Sequence, residues 1–279
     1  MIKLGIFGDQ TTNPKLLDQL KTLPDTEHAG IYFSGNTTVP DGYTELLSPV
    51  GLMDISDAIL ILTERSISSD LIRLILRKSK HVYLKTIPNL NVKEIKELID
   101  LEKEAGIVTS IFNPFDSIAQ FDLQSNHYEK PLLINLRTTF ESSLVRPSHE
   151  ILLLTTAINR VVKSNYKKLE IFGMRENGAQ IVINLRIEYE NGSVVNLTVS
   201  QEKSPGFCEI FDQQKKTSFE FQTLSELYHH SNQEYNSIAG FVSVIHGRDK
   251  KTHAFDNFRN GVQIVHEIRE HLRFNEIDF

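Results

Sequence analysis

With 279 residues, 40% of them hydrophobic, the chain is long enough for two moderate domains, each with its own core. A net charge of −6 with both signs interspersed gives no nucleic-acid footprint, and no apolar run reaches bilayer-spanning length. Nothing at the start reads as a leader, so neither nucleic acid nor membrane is an expected partner, and a cytoplasmic location is the expectation.

Ile2 to Phe7 reads as a first strand, and Gly8 follows where a tight turn would fall. Asn13-Pro14 reads as N-cap and first residue of a helix through Leu16, Leu17 and Leu20, and Ala29 to Phe33 as a second strand. Strand, turn, helix, strand is the layout of a dinucleotide-binding half. A G-x-G-x-x-G series starting at Gly8 would put glycines where Gln10 and Asn13 stand, so only the first is present. Ser34 holds the place of the acidic residue that would bind a ribose hydroxyl. Gly8, Asp9, Gln10, Thr11 and Ser34 are therefore the cofactor candidates here, set against a plain turn that binds nothing. The choice between NAD and NADP is not readable from them.

Residues 35 to 56 are poor in pattern and read as a loop with at most one short strand. The next stretch is the most regular in the chain. Ala58 to Thr63 is a short apolar run that suits a strand buried on both faces, and the period then turns helical through Leu71, Ile72, Ile75 and Leu76. His81 to Lys85 is again strand-like, Asn91 to Ala105 is a second helix ended by Gly106, and Ile107 to Phe112 a further strand. This order predicts a parallel sheet with right-handed crossovers. Sites in such sheets lie outside the carboxyl ends of the strands, so Thr63, Glu64, Lys85 and Asn113 are candidates for a common crevice.

The rest of the chain changes character. Leu132 to Phe140 reads as a strand, and Ser148 as the N-cap of a helix through Ile151, Leu152, Leu154 and Ile158, with His149 in its first turn. Period two then governs Leu169 to Phe172, Gln180 to Tyr189 and Ser193 to Gln201, with the hairpin signal Asn191-Gly192 between the last two. Phe207 to Phe211 and Thr217 to Phe221 form a further pair, and a helix from about Asp256 to Arg273 closes the chain. The single cysteine, Cys208, closes no internal disulfide, and apart from His266 with Glu267 and Glu270 on an exposed helix face the later histidines lack ligand spacing with carboxylates, so no metal is expected.

With these residues in place, the chain resembles the Gfo/Idh/MocA family of NAD(P)-dependent oxidoreductases. Asp57-Ala58-Ile59-Leu60-Ile61-Leu62-Thr63 is similar to the family's D-A-V-x-I-A-T strand, and His81-Val82-Tyr83-Leu84-Lys85 to its H-V-x-x-E-K-P. Leu84 replaces the glutamate and Thr86 the proline, while Lys85 is kept. His149 matches the start of H-x-x-D, whose aspartate is Leu152 here, and Val145 stands where a further aspartate is usual. Tyr189-Glu190-Asn191-Gly192 echoes the family's Y-x-N-G hairpin.

The resemblance implies a Rossmann-like parallel-sheet domain over residues 1–117 and an open, mainly antiparallel sheet domain over 118–279, whose closing helix 256–273 packs back on the first. It implies NAD or NADP as cofactor and hydride transfer to or from a small sugar, polyol or keto substrate. Lys85 would polarise the reacting oxygen and His149 would exchange its proton. A homodimer, or a larger assembly, through the second sheet is also implied. Each residue has a plainer reading: a lysine at a strand end is ordinarily a solvated cap, and a histidine in a first helical turn a surface or capping group. Because the substitutions fall in the sites and spare the scaffold, a non-catalytic ligand-binding or partner-binding protein is the alternative. A third reading is an enzyme of the same fold with altered chemistry.

Overall fold

The computed structural model describes residues 1–35, 39–65, 67–118, 121, 128–139, 147–176, 180–201, 204–223, 226–227, 231–249 and 254–274. Phe140 and Val145, named above, lie outside the described residues. The chain divides into two compact units, Met1–Phe112 with Ser231–Asp256, and Asn113–His230 with Asn257–Phe279.

The first unit is built on five parallel strands: β1 (Ile2–Gly8), β2 (Thr26–Phe33), β3 (Ala58–Ile61), β4 (His81–Leu84) and β5 (Thr109–Ile111). Their order in the sheet is β2-β1-β3-β4-β5. Every residue of β3 is buried, as its uninterrupted apolar run requires. Helix α1 (Pro14–Leu20) starts as expected, with the Asn13 side chain accepting from Lys15 N and proline in the first turn. Helix α3 (Ser69–Arg77) joins β3 to β4, and α4 (Val92–Ala105) joins β4 to β5. A capping box of Asn91 and Glu94 opens α4, and Gly106 closes it in the left-handed conformation, φ +66°.

Two parts of this unit depart from the expected pattern. The region read as a loop over 35 to 56 contains α2 (Pro49–Ile55), capped by Ser48, whose side chain accepts from Gly51 N. A single parallel bridge, Ile31 to Glu45, is what exists of the short strand. A further helix, α6 (Ser231–Ile245), comes from far along the chain and packs on α1 and β4. Its Phe241 ring lies 5.9 Å from that of Tyr83 on β4.

The second unit holds a six-stranded sheet of β6 (Leu133–Thr139), β7 (Tyr166–Glu176), β8 (Gln180–Tyr189), β9 (Val194–Ser200), β10 (Gly206–Phe211) and β11 (Lys216–Phe221). The order is β11-β10-β6-β9-β8-β7. All neighbours are antiparallel except β6 and β9, which run parallel, because β6 sits between a hairpin and a three-stranded meander that both follow it in sequence. The Asn191-Gly192 turn forms, with Gly192 at φ +83° and Tyr189 N donating to Ser193 O at 2.9 Å.

One face of this sheet is apolar and buried through residues such as Ile134, Leu136, Leu185 and Leu197. Helices α5 (Pro147–Val162) and α7 (Ala254–Phe274) lie in this unit apart from the first residues of α7. They approach closely at Gly261, where a Cβ would lie 2.8 Å from Leu152. The opposite face carries Asn184 against Thr198 and Arg186 against Asn196, with Phe172 71% exposed among them. Helix α5 begins at Pro147, so Ser148 is not its N-cap; a proline suits the first turn because its missing N–H has no partner to lose there.

Candidate functional site

In the parallel sheet the strand order reverses between β1 and β3, which makes the carboxyl ends of these two strands the topological switch point. The residues at those ends are Gly8 and the turn after it, and the loop that follows Ile61. Gly8 is a glycine for packing reasons, since a Cβ there would lie 2.3 Å from the Phe33 ring and 2.7 Å from Thr12 Oγ1.

The next side chain turns inward. Asp9 is 1% exposed, and its carboxylate accepts from Thr11 N at 2.8 Å, from Thr11 Oγ1, and from Thr63 Oγ1 at 2.7 Å. Arg65 Nε stands 3.3 Å from Asp9 Oδ2. Burial pushes the Asp9 pKa up, but the hydrogen bonds from Thr11 and Thr63 and the charge of Arg65 outweigh it, so the carboxyl sits below its ordinary value and is an anion. Asp9 N donates to Thr12 Oγ1 and Thr12 N to Asp9 O, both at 3.0 Å. Thr11 Oγ1 and Thr63 Oγ1 in turn accept from Glu64 N and Arg65 N, each at 3.0 Å. The two loops are thereby sewn together. Gln10 is exposed, and Ser34 donates to Gly8 O through its N at 2.9 Å and its Oγ at 3.4 Å.

One strand further along, Lys85 follows β4 and is only 3% exposed. Its Nζ lies 3.1 Å from Glu64 Oε1 and 3.2 Å from Glu234 Oε2. The solvated cap is thus excluded, and two carboxylates from other elements stand against Lys85. Glu234, in the first turn of α6, was missed by sequence reasoning. Its signal was available: Glu234 falls four residues before Ile238 and seven or eight before Phe241 and Val242, on the apolar stripe of a helix. An acid on such a stripe requires a buried partner. Burial raises the Glu234 pKa while the Lys85 charge opposes the rise. Its second oxygen, Oε1, is buried and has no hydrogen-bond partner among the described residues.

In the second unit, Asn113 is buried with both ends of its amide engaged. Nδ2 donates to Leu153 O at 2.9 Å, and Oδ1 accepts from Phe115 N at 3.1 Å, capping the short 3-10 turn Pro114–Ser117. His149 is half-buried at the start of α5, and burial pushes its pKa down to about 4. Beside it in sequence, Glu150 is fully buried. Burial pushes its pKa up to about 7 against a 2.7 Å hydrogen bond donated by Thr138 Oγ1, and its Oε2 has no partner among the described residues. Glu150 too escaped the sequence reading, because nothing in a first helical turn tells an exposed acid from an inward one.

The first unit therefore gathers Gly8, Asp9, Gln10, Thr11, Ser34, Thr63, Glu64 and Lys85 at the carboxyl edge of one sheet, while Asn113 and His149 belong to the second unit. In the turn after β1, Thr11 N and Thr12 N already donate to Asp9. Gln10 and Arg65 present exposed side-chain donors at this edge. Among the described residues, no group of three or more His, Cys, Asp or Glu could hold a metal ion, and no helix is long and apolar enough to cross a membrane.

The fold is that of the Gfo/Idh/MocA-type dehydrogenases. Among solved structures the chain is similar to UDP-N-acetylglucosamine 3-dehydrogenase GnnA from Acidithiobacillus ferrooxidans, at 15% identity and a TM-score of 0.75, covering 96% of this chain and 97% of that one. A dehydrogenase from Chromobacterium violaceum matches at 12% identity and TM-score 0.70, over 99% and 97% of the two chains. GenD2 from gentamicin A biosynthesis, in complex with NAD, matches at 10% identity and TM-score 0.72, over 99% and 95%. No protein-family model and no curated protein sequence matches the chain.

Proposed function

We propose that this chain is a nicotinamide-dependent oxidoreductase that moves hydride between NAD or NADP and a small sugar, polyol or keto compound. The observation that carries this reading is the buried Lys85, held between Glu64 and Glu234 at the carboxyl edge of the parallel sheet. An ammonium has three N–H donors; two face these carboxylates, and the third remains for a ligand oxygen. A cation fixed in that way polarises a carbonyl, or stabilises the alkoxide that forms as a hydroxyl gives up hydride. The dinucleotide, when bound, supplies the hydride chemistry itself. Gly8, Asp9, Gln10, Thr11, Ser34, Thr63 and Glu64 are the proposed surroundings of the cofactor in the first unit, and Asn113 in the second.

Proton transfer is assigned to the start of α5. His149 is the proposed group, and burial, which pushes its pKa down to about 4, leaves it neutral at physiological pH. The names of the similar structures support the class, since GnnA is a sugar-nucleotide dehydrogenase and GenD2 was solved with NAD. A second reading, a non-catalytic ligand-binding protein of the same fold, is favoured by one observation: the buried anion of Asp9, to which Thr11 N donates within the β1–α1 turn.

Titration with NADH and with NADPH, followed by reduced-nicotinamide fluorescence, separates the two. The expected result is saturable binding of one of them in the micromolar range, with turnover of a screened polyol reduced about 100-fold or more in Lys85→Met. Absence of binding of both at millimolar concentration would sink the oxidoreductase reading and leave the second.

The proposed assembly is a homodimer, or a larger one, through the outer face of the six-stranded sheet. Light scattering is expected to give a mass at least twice the 31.9 kDa of one chain; 31.9 kDa alone at high concentration removes this claim.

A further inference from the structure

We propose that Arg65 binds the pyrophosphate of the dinucleotide, with Asp9 as the residue that positions it, in place of a glycine-rich cradle; the inference rests on the oxidoreductase reading above. In the usual arrangement, phosphates meet unpaired backbone N–H groups at the turn after the first strand. Here Thr11 N donates to the Asp9 carboxylate at 2.8 Å and Thr12 N to Asp9 O at 3.0 Å. Two N–H groups of the turn are thus spent within it, and a cation beside the turn supplements those that are left.

Arg65 is built for the part. Its backbone N is pinned to Thr63 Oγ1 at 3.0 Å, and its Nε lies 3.3 Å from Asp9 Oδ2. Asp9 is itself fixed by Thr11 and Thr63 and is 1% exposed. One edge of the guanidinium thus faces a buried, hydrogen-bonded anion beside the turn. The side chain remains 60% exposed, and its two Nη groups have no partner among the described residues. They present four N–H donors in a planar fork, which matches two phosphate oxygens at once in a way that an ammonium cannot. Glu64, the adjacent acid, directs its carboxylate at Lys85, so its charge is compensated close to this fork. The competing account is that Arg65 only neutralises Asp9. That role would affect stability without distinguishing ligands that carry phosphate from those that lack it.

Calorimetric titration of the full chain with NADH, ADP and adenosine, for the native protein and for Arg65→Gln and Arg65→Lys, tests the proposal, with melting curves recorded for each variant. The native protein is expected to bind NADH and ADP with affinities that fall as salt rises. Arg65→Gln is expected to weaken both about 10-fold or more, to leave adenosine unchanged and to flatten the salt dependence. Arg65→Lys is expected to lose a smaller part, because it keeps the charge without the fork. If Arg65→Gln does not fold, the same selective loss in Arg65→Lys supports the proposal, and native affinity in that variant overturns it. NADH affinity within about 2-fold of native in a folded Arg65→Gln overturns the inference and leaves the oxidoreductase reading standing. Failure of the native protein to bind NADH and ADP overturns both.

Discussion

Lys85→Met is expected to destabilise the protein by roughly 3–5 kcal/mol near pH 8, as removal of one partner from a buried ion pair does, because Glu234 is left buried and unpaired. The loss should shrink as the medium is acidified. Burial already raises the Glu234 pKa, with Lys85 opposing, so deleting Lys85 raises it further and the variant holds a protonated, neutral Glu234 over a wider range. A carboxyl whose folded pKa is raised contributes stability that is complete below its unfolded value and is lost as pH rises through the folded one. The difference between native protein and variant therefore widens with pH. Lys85→Met combined with Glu234→Leu should recover most of the loss, since an apolar pair of similar volume replaces the ions and the exposed Glu64 returns to water. Urea denaturation from pH 5 to pH 8 on the two single variants and the double measures this. Additive single effects would show that the two residues do not act as a pair.

The second large effect concerns Glu150. Its pKa is pushed from 4.5 to about 7 by burial, so between those values the folded protein carries a proton that the unfolded chain has released. Stability from this group is complete below pH 4.5 and falls as pH rises to about 7, by about 3 kcal/mol at 1.36 kcal/mol per unit. Glu150→Gln keeps an acceptor for Thr138 Oγ1 and removes the titration. The variant is expected to be as stable as the native protein near pH 5 and more stable by that amount near pH 8. A native-like decline with pH in Glu150→Gln would assign the effect to another group. His149 works in the opposite sense: its folded pKa of about 4 lies below the ordinary 6.5, so its contribution is complete above 6.5 and is lost on acidification toward 4. Acid titration of the Glu150→Gln variant isolates that limb.

Local signals were legible wherever backbone chemistry was local. The helix from Asn91 ended by Gly106, the Asn191-Gly192 hairpin and the unbroken apolar run of β3 all appear where their residues predict. The helix Pro49–Ile55 was hidden although Ser48-Pro49 is a valid start, because seven residues containing Gly51 offer too little period to read. The parallel pairing of β6 with β9 was hidden for a different reason. Alternation reports which face a residue occupies and says nothing of strand direction. The site was legible as positions on strand ends, Lys85 and Thr63 among them, whereas the inward turn of Asp9 and the arrival of Glu234 depend on contacts 54 and 149 residues away in sequence. Those separations, Asp9 to Thr63 and Lys85 to Glu234, exceed any periodic window.

The late origin of α6 gives the chain a chronology. When synthesis has passed the last strand of the parallel sheet, Lys85 has only Glu64 beside it, and the faces of α1 and β4 that α6 covers are still bare. The six strands of the second unit are all made before residue 234 exists. The first unit is thus completed only after the strands of the second have been synthesised, so a nascent or truncated chain ending at residue 230 holds Lys85 without the Glu234 carboxylate. Possession of a finished Lys85 centre is in this way a report that synthesis has passed residue 234.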